Sequence, residues 1–389
     1  MQIRNNLKVK KGNKTKRDKM SDIQFSKGVS DVNISGIRKL FESAGPNAIN
    51  LGIGQPDFDT PDNIKAAAIK AINDGFTGYT VGLGIPELRT AISDKFKREN
   101  SFDVSADQIM VTSGASEALY ITASALINPG DEVLIPNPGF LAYKSIVNLL
   151  NGKDVSVGMK DDLTIDPNDV LEKITPKTKA LILNSPGNPT GAVSSKEDVK
   201  ALAEIADDKK ITLISDEVYE YFIYDGTHTS PAQFSDNVVT INAFSKSYSM
   251  TGWRVGYLAA KGEYVGQILK VHQYLQACAS SIGQKAALEA ITGPQDSVTK
   301  MRDEFKERRD VLIQGLHDIG INCITPQGAF YAFPEVKNCG EAVEKLLKND
   351  VVVTPGTAFG SNGDDHIRIS YASSMENIKK ALEVMGKVL

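Results

Sequence analysis

Cysteine is scarce in this chain of 389 residues: Cys278, Cys323 and Cys339 are scattered, odd in number and without a CxxC pair. That excludes a disulfide framework and fits a reducing cytosol. The four histidines, His228, His272, His317 and His366, show no metal-ligand spacing, so no metal is expected. No apolar run is long enough to cross a bilayer. Positive charge is not in excess: 44 Lys and Arg against 48 Asp and Glu leave a formal net charge of -4, which gives no footprint for nucleic acid. There is no internal repeat. No GxGxxG joins a strand to a helix, and GIGQPD leads into no helix of the needed kind, which removes a dinucleotide-binding dehydrogenase.

What is present is ordinary for a globular protein, with 41% hydrophobic and 24% charged residues. The length suits two or three domains, or one large α/β domain and a smaller one. Residues 1–19 are basic, nearly free of apolar side chains and without the apolar stretch of a signal peptide. They read as a disordered extension, with Met20 an alternative start. Helices are expected over 62–74 and 86–99. Strands and helices then alternate: strands at QIMVTS, EVLIP, DVSVGM, KALILNS, ITLISD, VVTINAF and VGYLAA, with helices at 115–127, 141–152 and 196–208. Apolar strands alternating with helices of this length argue for a mainly parallel sheet covered on both faces. Functional groups in such a fold gather at the C-terminal ends of strands. Beyond about residue 292 a long charged helix (299–320) is followed by shorter strand candidates, GAFYAFP, DVVVTPG and HIRISYA, which make an α+β unit. A large domain is expected over 61–292 and a smaller one over 293–389.

Lys246 carries the most information. It lies just past VVTINAF, between Ser245 and Ser247, with Arg254 eight positions on. A lysine whose charged form is disfavoured by burial or nearby cations becomes a nucleophilic amine and forms a Schiff base with an aldehyde. The Ser245 hydroxyl and the Arg254 guanidinium suit a phosphate dianion. An amine beside a phosphate pocket describes a site for pyridoxal 5'-phosphate; the plain alternative is a solvated surface lysine.

Other strand ends supply companions. Asp216 closes ITLIS, and a carboxylate at the end of a buried run needs a cation, such as a protonated pyridine nitrogen; it reads equally as a helix cap. Tyr219 can bond the ring hydroxyl oxygen, or simply pack. Asn188 sits in the rigid turn NSPGNPTG after a strand and can donate to the same oxygen. Gly114, Ala115 and Ser116 join a strand to a helix start, where free N–H groups favour phosphate; the plain alternative is a helix cap. Phe140 follows IPNPG and can stack on the ring or fill the core. Arg368, inside the apolar run HIRISYA, needs an anion; a substrate α-carboxylate and a structural salt bridge both satisfy it. Gly54, in LGIGQPDF, can offer its N–H to the same carboxylate.

The ordered strings LGIGQPDF, GYTVGLGIPELR, SGASEAL, NPTG, DEVY, SKSYSMTGWRVGY and RISYA together resemble the class I/II aminotransferases, the pyridoxal-phosphate enzymes of the aspartate aminotransferase superfamily (fold type I). The resemblance covers nearly the whole chain from about residue 25 and is greatest to prokaryotic and archaeal aromatic or aspartate members. It implies a fold type I PLP transferase: a large α/β domain with a mainly parallel central sheet plus a smaller α+β domain, in which the N-terminal segment 20–60 joins 293–389, that closes on substrate. It implies pyridoxal 5'-phosphate as cofactor, amino acid and 2-oxo acid substrates with 2-oxoglutarate as acceptor, ping-pong exchange and a cytoplasmic location. Lys246 is similar to the lysine that binds the cofactor and moves the Cα proton. Asp216 is similar to the ring-nitrogen partner, and Asn188 and Tyr219 to the ring-oxygen partners. Ala115, Ser116, Ser245 and Arg254 resemble the phosphate cup, Phe140 the stacking aromatic, and Arg368 and Gly54 the carboxylate clamp. Tyr79 looks like the tyrosine that reaches the neighbouring subunit's phosphate, which implies a homodimer with sites at the interface. Some acidic-substrate relatives carry lysine at the position of Ser116, so Ser116 points away from aspartate as best donor, and ISGIRKLFE (34–42) looks like the apolar flap of broad or aromatic-substrate members. Two other readings keep the cofactor: a C–S β-lyase, and a PLP-sensing regulator, for which the short basic arm is too small a DNA-binding domain.

Overall fold

The computed structural model describes residues 24–30, 32, 45 and 48–389. The basic extension over 1–19, the start at Met20 and the flap expected over 34–42 lie outside the described residues.

After a two-residue strand β1 (Ile49–Asn50), seven strands build the main sheet: β2 (Ile109–Thr112), β3 (Glu132–Pro136), β4 (Lys153–Val157), β5 (Thr178–Asn184), β6 (Thr212–Asp216), β7 (Val238–Ala243) and β8 (Gly256–Ala260). Their order is β2-β8-β7-β6-β5-β3-β4. All pairings are parallel except the two made by β8, which runs against both neighbours. The apolar runs predicted this burial on two faces. In β5, Ala180 and Ile182 enter one core while Leu181 and Leu183 enter another, because successive side chains point to opposite faces. The first core holds the helices Ala115–Leu126 and Leu141–Leu149, and the second the helix Lys196–Lys209. Edge strand β4 carries Lys153 and Asp154 and is less buried, as an edge open to water requires.

The C-terminal third packs around Phe305, Leu312, Phe330, Ile369 and Ile378, in a core that Leu51 joins from the N-terminal side and Val218, Tyr219, Phe222 and Ala243 join from the ends of β6 and β7. Short strands stitch it: β9 (Tyr331–Ala332), β10 (Val351–Val352), β11 (Thr354–Pro355) and β12 (Ile367–Ser370). β1 pairs parallel with β10, and β11-β12-β9 is antiparallel. The strand candidates GAFYAFP and DVVVTPG are thus cut to two residues at a time. The long helix starts at Asp296, three residues before the expected 299, with an acidic residue in its first turn to meet the positive end of the helix. Helices Pro167–Lys173, Tyr264–Leu275 and Ser281–Thr292 were not anticipated. Among the described residues no helix is long and apolar enough to cross a membrane.

Candidate active site

The parallel strands end along one edge of the sheet, and there a cavity of about 470 Å³ opens. Asp216 is the last residue of β6, Lys246 follows β7 in a single turn (Phe244–Ser247), and Asn188 follows β5. Because β8 runs the other way, its start lies at the same edge and delivers Arg254 to it. Every residue singled out from the sequence lines the cavity except Gly114 and Tyr79.

Lys246 Nζ donates to the Gly54 carbonyl at 2.6 Å. Burial, then the charges of Arg368 and Arg254, lower its pKa from 10.5 to about 8. At pH 7 about a tenth of such an amine is neutral, against roughly one part in 3,000 at the ordinary value. Gly54 was expected to offer N–H to a carboxylate; here its carbonyl holds the lysine. Asp216 is buried, and burial raises its pKa from 3.8 to about 6, while the Tyr143 hydroxyl, donating to Oδ2 at 2.7 Å, works in the opposite sense. A cation set against this carboxylate would restore its charge.

Arg368 is 4% exposed, yet no carboxylate among the described residues pairs with it. Nη1 donates to Asn188 Oδ1 at 2.9 Å, Nη2 to the Gly52 carbonyl, and the buried Nε has no partner. A buried guanidinium without an anion is one that awaits one. This sets aside the structural salt bridge that the sequence left open.

The turn from β2 into helix Ala115–Leu126 brings Ala115 and Ser116 to the cavity at the helix N-terminus. Gly114 has φ +80°, and a Cβ there would meet Arg254 Nη2 at 2.6 Å. The guanidinium therefore comes close against the loop, where among the described residues it donates only to the carbonyls of Thr251 and Ser113. Ser245 lines the cavity beside it, and Phe140 faces the cavity edge-on to Tyr143. Tyr79 stands apart, 91% exposed.

Three residues at this site were not foreseen. Tyr143 holds Asp216; its place in LAYKSIV reads as core packing. Asn184 joins the Asp216 carbonyl to the Asn188 N–H, at 2.9 and 2.8 Å; its position at a strand end was the available signal. Tyr331 bonds Tyr219 at 2.8 Å. Behind the site, Glu217, Glu220 and His228 bring potential metal-ligand atoms within 4.8 Å of one another. Lys95 already occupies Glu220, so the group is an internal ion-pair network.

An amine, a buried carboxylate and an unpaired arginine at a helix N-terminus are able to hold an aldehyde, a ring nitrogen and a phosphate. Pyridoxal 5'-phosphate fits this donor set, and the glycine that leaves Arg254 its place supports the fit.

The family model for aminotransferase class I and II matches residues 46–385. A probable aspartate aminotransferase of Methanocaldococcus jannaschii is 48% identical over 94% of this chain and 99% of its own. Aromatic-amino-acid aminotransferase 2 of Thermococcus litoralis is 40% identical over 92% and 96%. The structure of aspartate aminotransferase from Thermus thermophilus with maleate superposes with a TM-score of 0.91 at 38% identity, covering 94% of this chain and all of that one.

Proposed function

The chain belongs to the class I and II aminotransferases, and from that premise we propose that it passes the amino group of an L-amino acid, aromatic or aspartate, to 2-oxoglutarate in a ping-pong exchange on pyridoxal 5'-phosphate. One observation carries the reading: an amine lowered to about 8 shares a cavity with a buried carboxylate and a buried arginine lacking an anion. When bound, the cofactor supplies an aldehyde that exchanges amino groups and a ring that accepts the electrons left as the Cα proton departs.

Lys246 would anchor it, Asp216 would face the ring nitrogen, Asn188 and Tyr219 the ring oxygen, and Ala115, Ser116, Ser245 and Arg254 the phosphate. With the cofactor bound, Lys246 Nζ would serve as general base: it would take the Cα proton of the donor and, in the return half, give one back to the Cα of the product. Its lowered pKa suits both tasks, since the amine is neutral often enough to accept and acidic enough to release. Arg368 binds the α-carboxylate of donor and acceptor in turn, which fits a single site used by two substrates in sequence. The Tyr219 and Phe330 rings, centred 6.0 and 5.9 Å from Nζ, shield the base from water.

Ser116 offers no charge to a distal carboxylate, which supports an aromatic or broad donor range over aspartate. Tyr79 and Tyr274, 91% and 89% exposed, support a homodimer in which Tyr79 meets the partner's site. The Thermus relative with maleate supports a pocket of this type taking carboxylate ligands. The pairing of β1 with β10 supports a small domain made of 20–60 and 293–389, with 61–292 as the large domain.

A panel of amino donors against 2-oxoglutarate tests the assignment. Phenylalanine or tyrosine should outpace aspartate; strong preference for aspartate would show that another cation serves in place of Ser116. Pyruvate and ammonia formed from cystathionine without an acceptor would instead mark a β-lyase.

A further inference from the structure

Tyr331 joins two parts of the site. It is 1% exposed, and its hydroxyl lies 2.8 Å from that of Tyr219. Its ring centre is 4.6 Å from the Arg368 guanidinium carbon, with the Phe359 ring at 4.8 Å. Gly54 makes room for it: a Cβ at that glycine would stand 2.1 Å from the Tyr331 hydroxyl. One side chain thus touches the phenol expected at the cofactor's ring oxygen and the arginine expected at the substrate carboxylate.

Resting on the cofactor reading above, we propose that Tyr331 is a positioning residue for both: its hydroxyl donates to Tyr219, which leaves the Tyr219 proton for the cofactor's ring oxygen, and its ring holds the Arg368 fork at the angle of the substrate carboxylate. The two hydroxyls share one hydrogen bond, and among the described residues neither has another partner. Two protons and one shared bond leave one proton over. Burial pushes both phenols up, so both stay protonated in the working range. With Tyr331 as donor the spare proton is on Tyr219, whose ring lies 6.0 Å from Lys246 Nζ. A phenol that accepts a hydrogen bond is also the stronger donor, because each bond in a chain polarises the next. On the other side, an arginine packed on an aromatic face away from water gains from the ring quadrupole and loses freedom to swing.

The two duties separate by variant. Tyr331→Phe removes the hydroxyl and keeps the ring; Tyr331→Ala removes both. In the holoenzyme the first readout is the pH midpoint of the bound cofactor's visible absorbance change, which reports the hydrogen bond to the ring oxygen. The second is the dissociation constant of an unreactive carboxylate, maleate or 3-phenylpropionate, whichever the wild type binds. Tyr331→Phe should raise the midpoint by roughly 0.5–1 pH unit and leave carboxylate binding within about twofold. Tyr331→Ala should raise the midpoint similarly and weaken carboxylate binding about tenfold or more. A Tyr331→Phe midpoint equal to that of the wild type overturns the hydroxyl's role. Equal weakening of carboxylate binding in both variants overturns the ring's role. A wild-type protein that takes no colour with the cofactor overturns the underlying reading itself, a result distinct from either.

Discussion

Asp216→Asn should make the cofactor-free protein more stable while spoiling it as an enzyme. The carboxyl is 4% exposed, and in the absence of a ring cation burial raises its pKa from 3.8 to about 6. Unfolded, the group ionises above 3.8; folded, it keeps its proton to about 6. The sign follows from linkage: a group whose folded pKa is raised contributes fully below the unfolded value, and that contribution is lost as pH rises through the folded one. Ionised at pH 7, Asp216 therefore weakens the empty fold by about 3 kcal/mol, at ~1.4 kcal/mol for each pH unit between the two values. Asparagine has no charge to bury and still offers Tyr143 an acceptor. The variant should gain about 3 kcal/mol at pH 7 and roughly half that at pH 5 in urea unfolding of the apoprotein. Saturating cofactor should stabilise the wild type more than the variant, since only the carboxylate pairs with a ring cation. A variant no more stable than wild type at pH 7, or a gain that does not shrink towards pH 5, would refute the reasoning.

Lys246→Ala should abolish transamination, and borohydride should fix no cofactor to the chain, as mass spectrometry will show. Arg368→Lys keeps the charge and loses the fork that meets a carboxylate in two bonds; KM for donor and acceptor should both rise about 30- to 100-fold, on the order of 2–3 kcal/mol, with a smaller fall in kcat. Gly114→Ala sets a Cβ 2.6 Å from Arg254 Nη2 at a φ of +80°, so cofactor affinity, read by absorbance titration, should fall about tenfold or more. His228→Gln should be less stable than wild type below pH 6.5. Burial works to lower the His228 pKa, but contact with Glu217 outweighs it and the net shift is upward, so the deficit should close as pH rises through the folded value in unfolding experiments at several pH values.

The site's charged groups were legible because each interrupts an apolar strand pattern or follows its end: Lys246, Asp216 and Arg368 are expensive to bury without a purpose. The residues that orient them were not, since Tyr143 and Tyr331 look like the aromatic packing around them until a hydroxyl partner is seen. Sheet direction at β8 was within reach. Residues 244–255, twelve in all, separate β7 from β8, the lower limit for a parallel return, which usually contains a full helix. The connection holds only the single turn Phe244–Ser247 and the short turn Thr251–Trp253, and β8 reverses. The small strands β9 to β11 were unreadable at their true length, because their apolar runs are set by burial in the core around Phe305 and Phe330, not by pairing.

The contacts that hold the acids behind β6 explain how one carboxylate is kept available. Asp216, Glu217 and Glu220 place three buried acids within five residues, and the Glu217 charge adds to the burial that raises Asp216. Left bare, such a row would protonate. Lys95, with Asn100 and Asn242, satisfies Glu220, whose pKa falls despite its burial. His228, with Ser215 and Ser230, satisfies Glu217. The Lys95 ammonium and the His228 ring, whose pKa contact with Glu217 raises against the pull of burial, thus partner the two rear acids and leave Asp216 without such a partner. A metal ion drawn to Glu217, Glu220 and His228 would have to expel the Lys95 ammonium from Glu220. The imbalance lies in the cavity, where two arginines await anions, a lysine with a lowered pKa awaits an aldehyde and one acid awaits a cation. A zwitterionic ring bearing a phosphate, followed by a substrate carboxylate, meets each of those needs in turn.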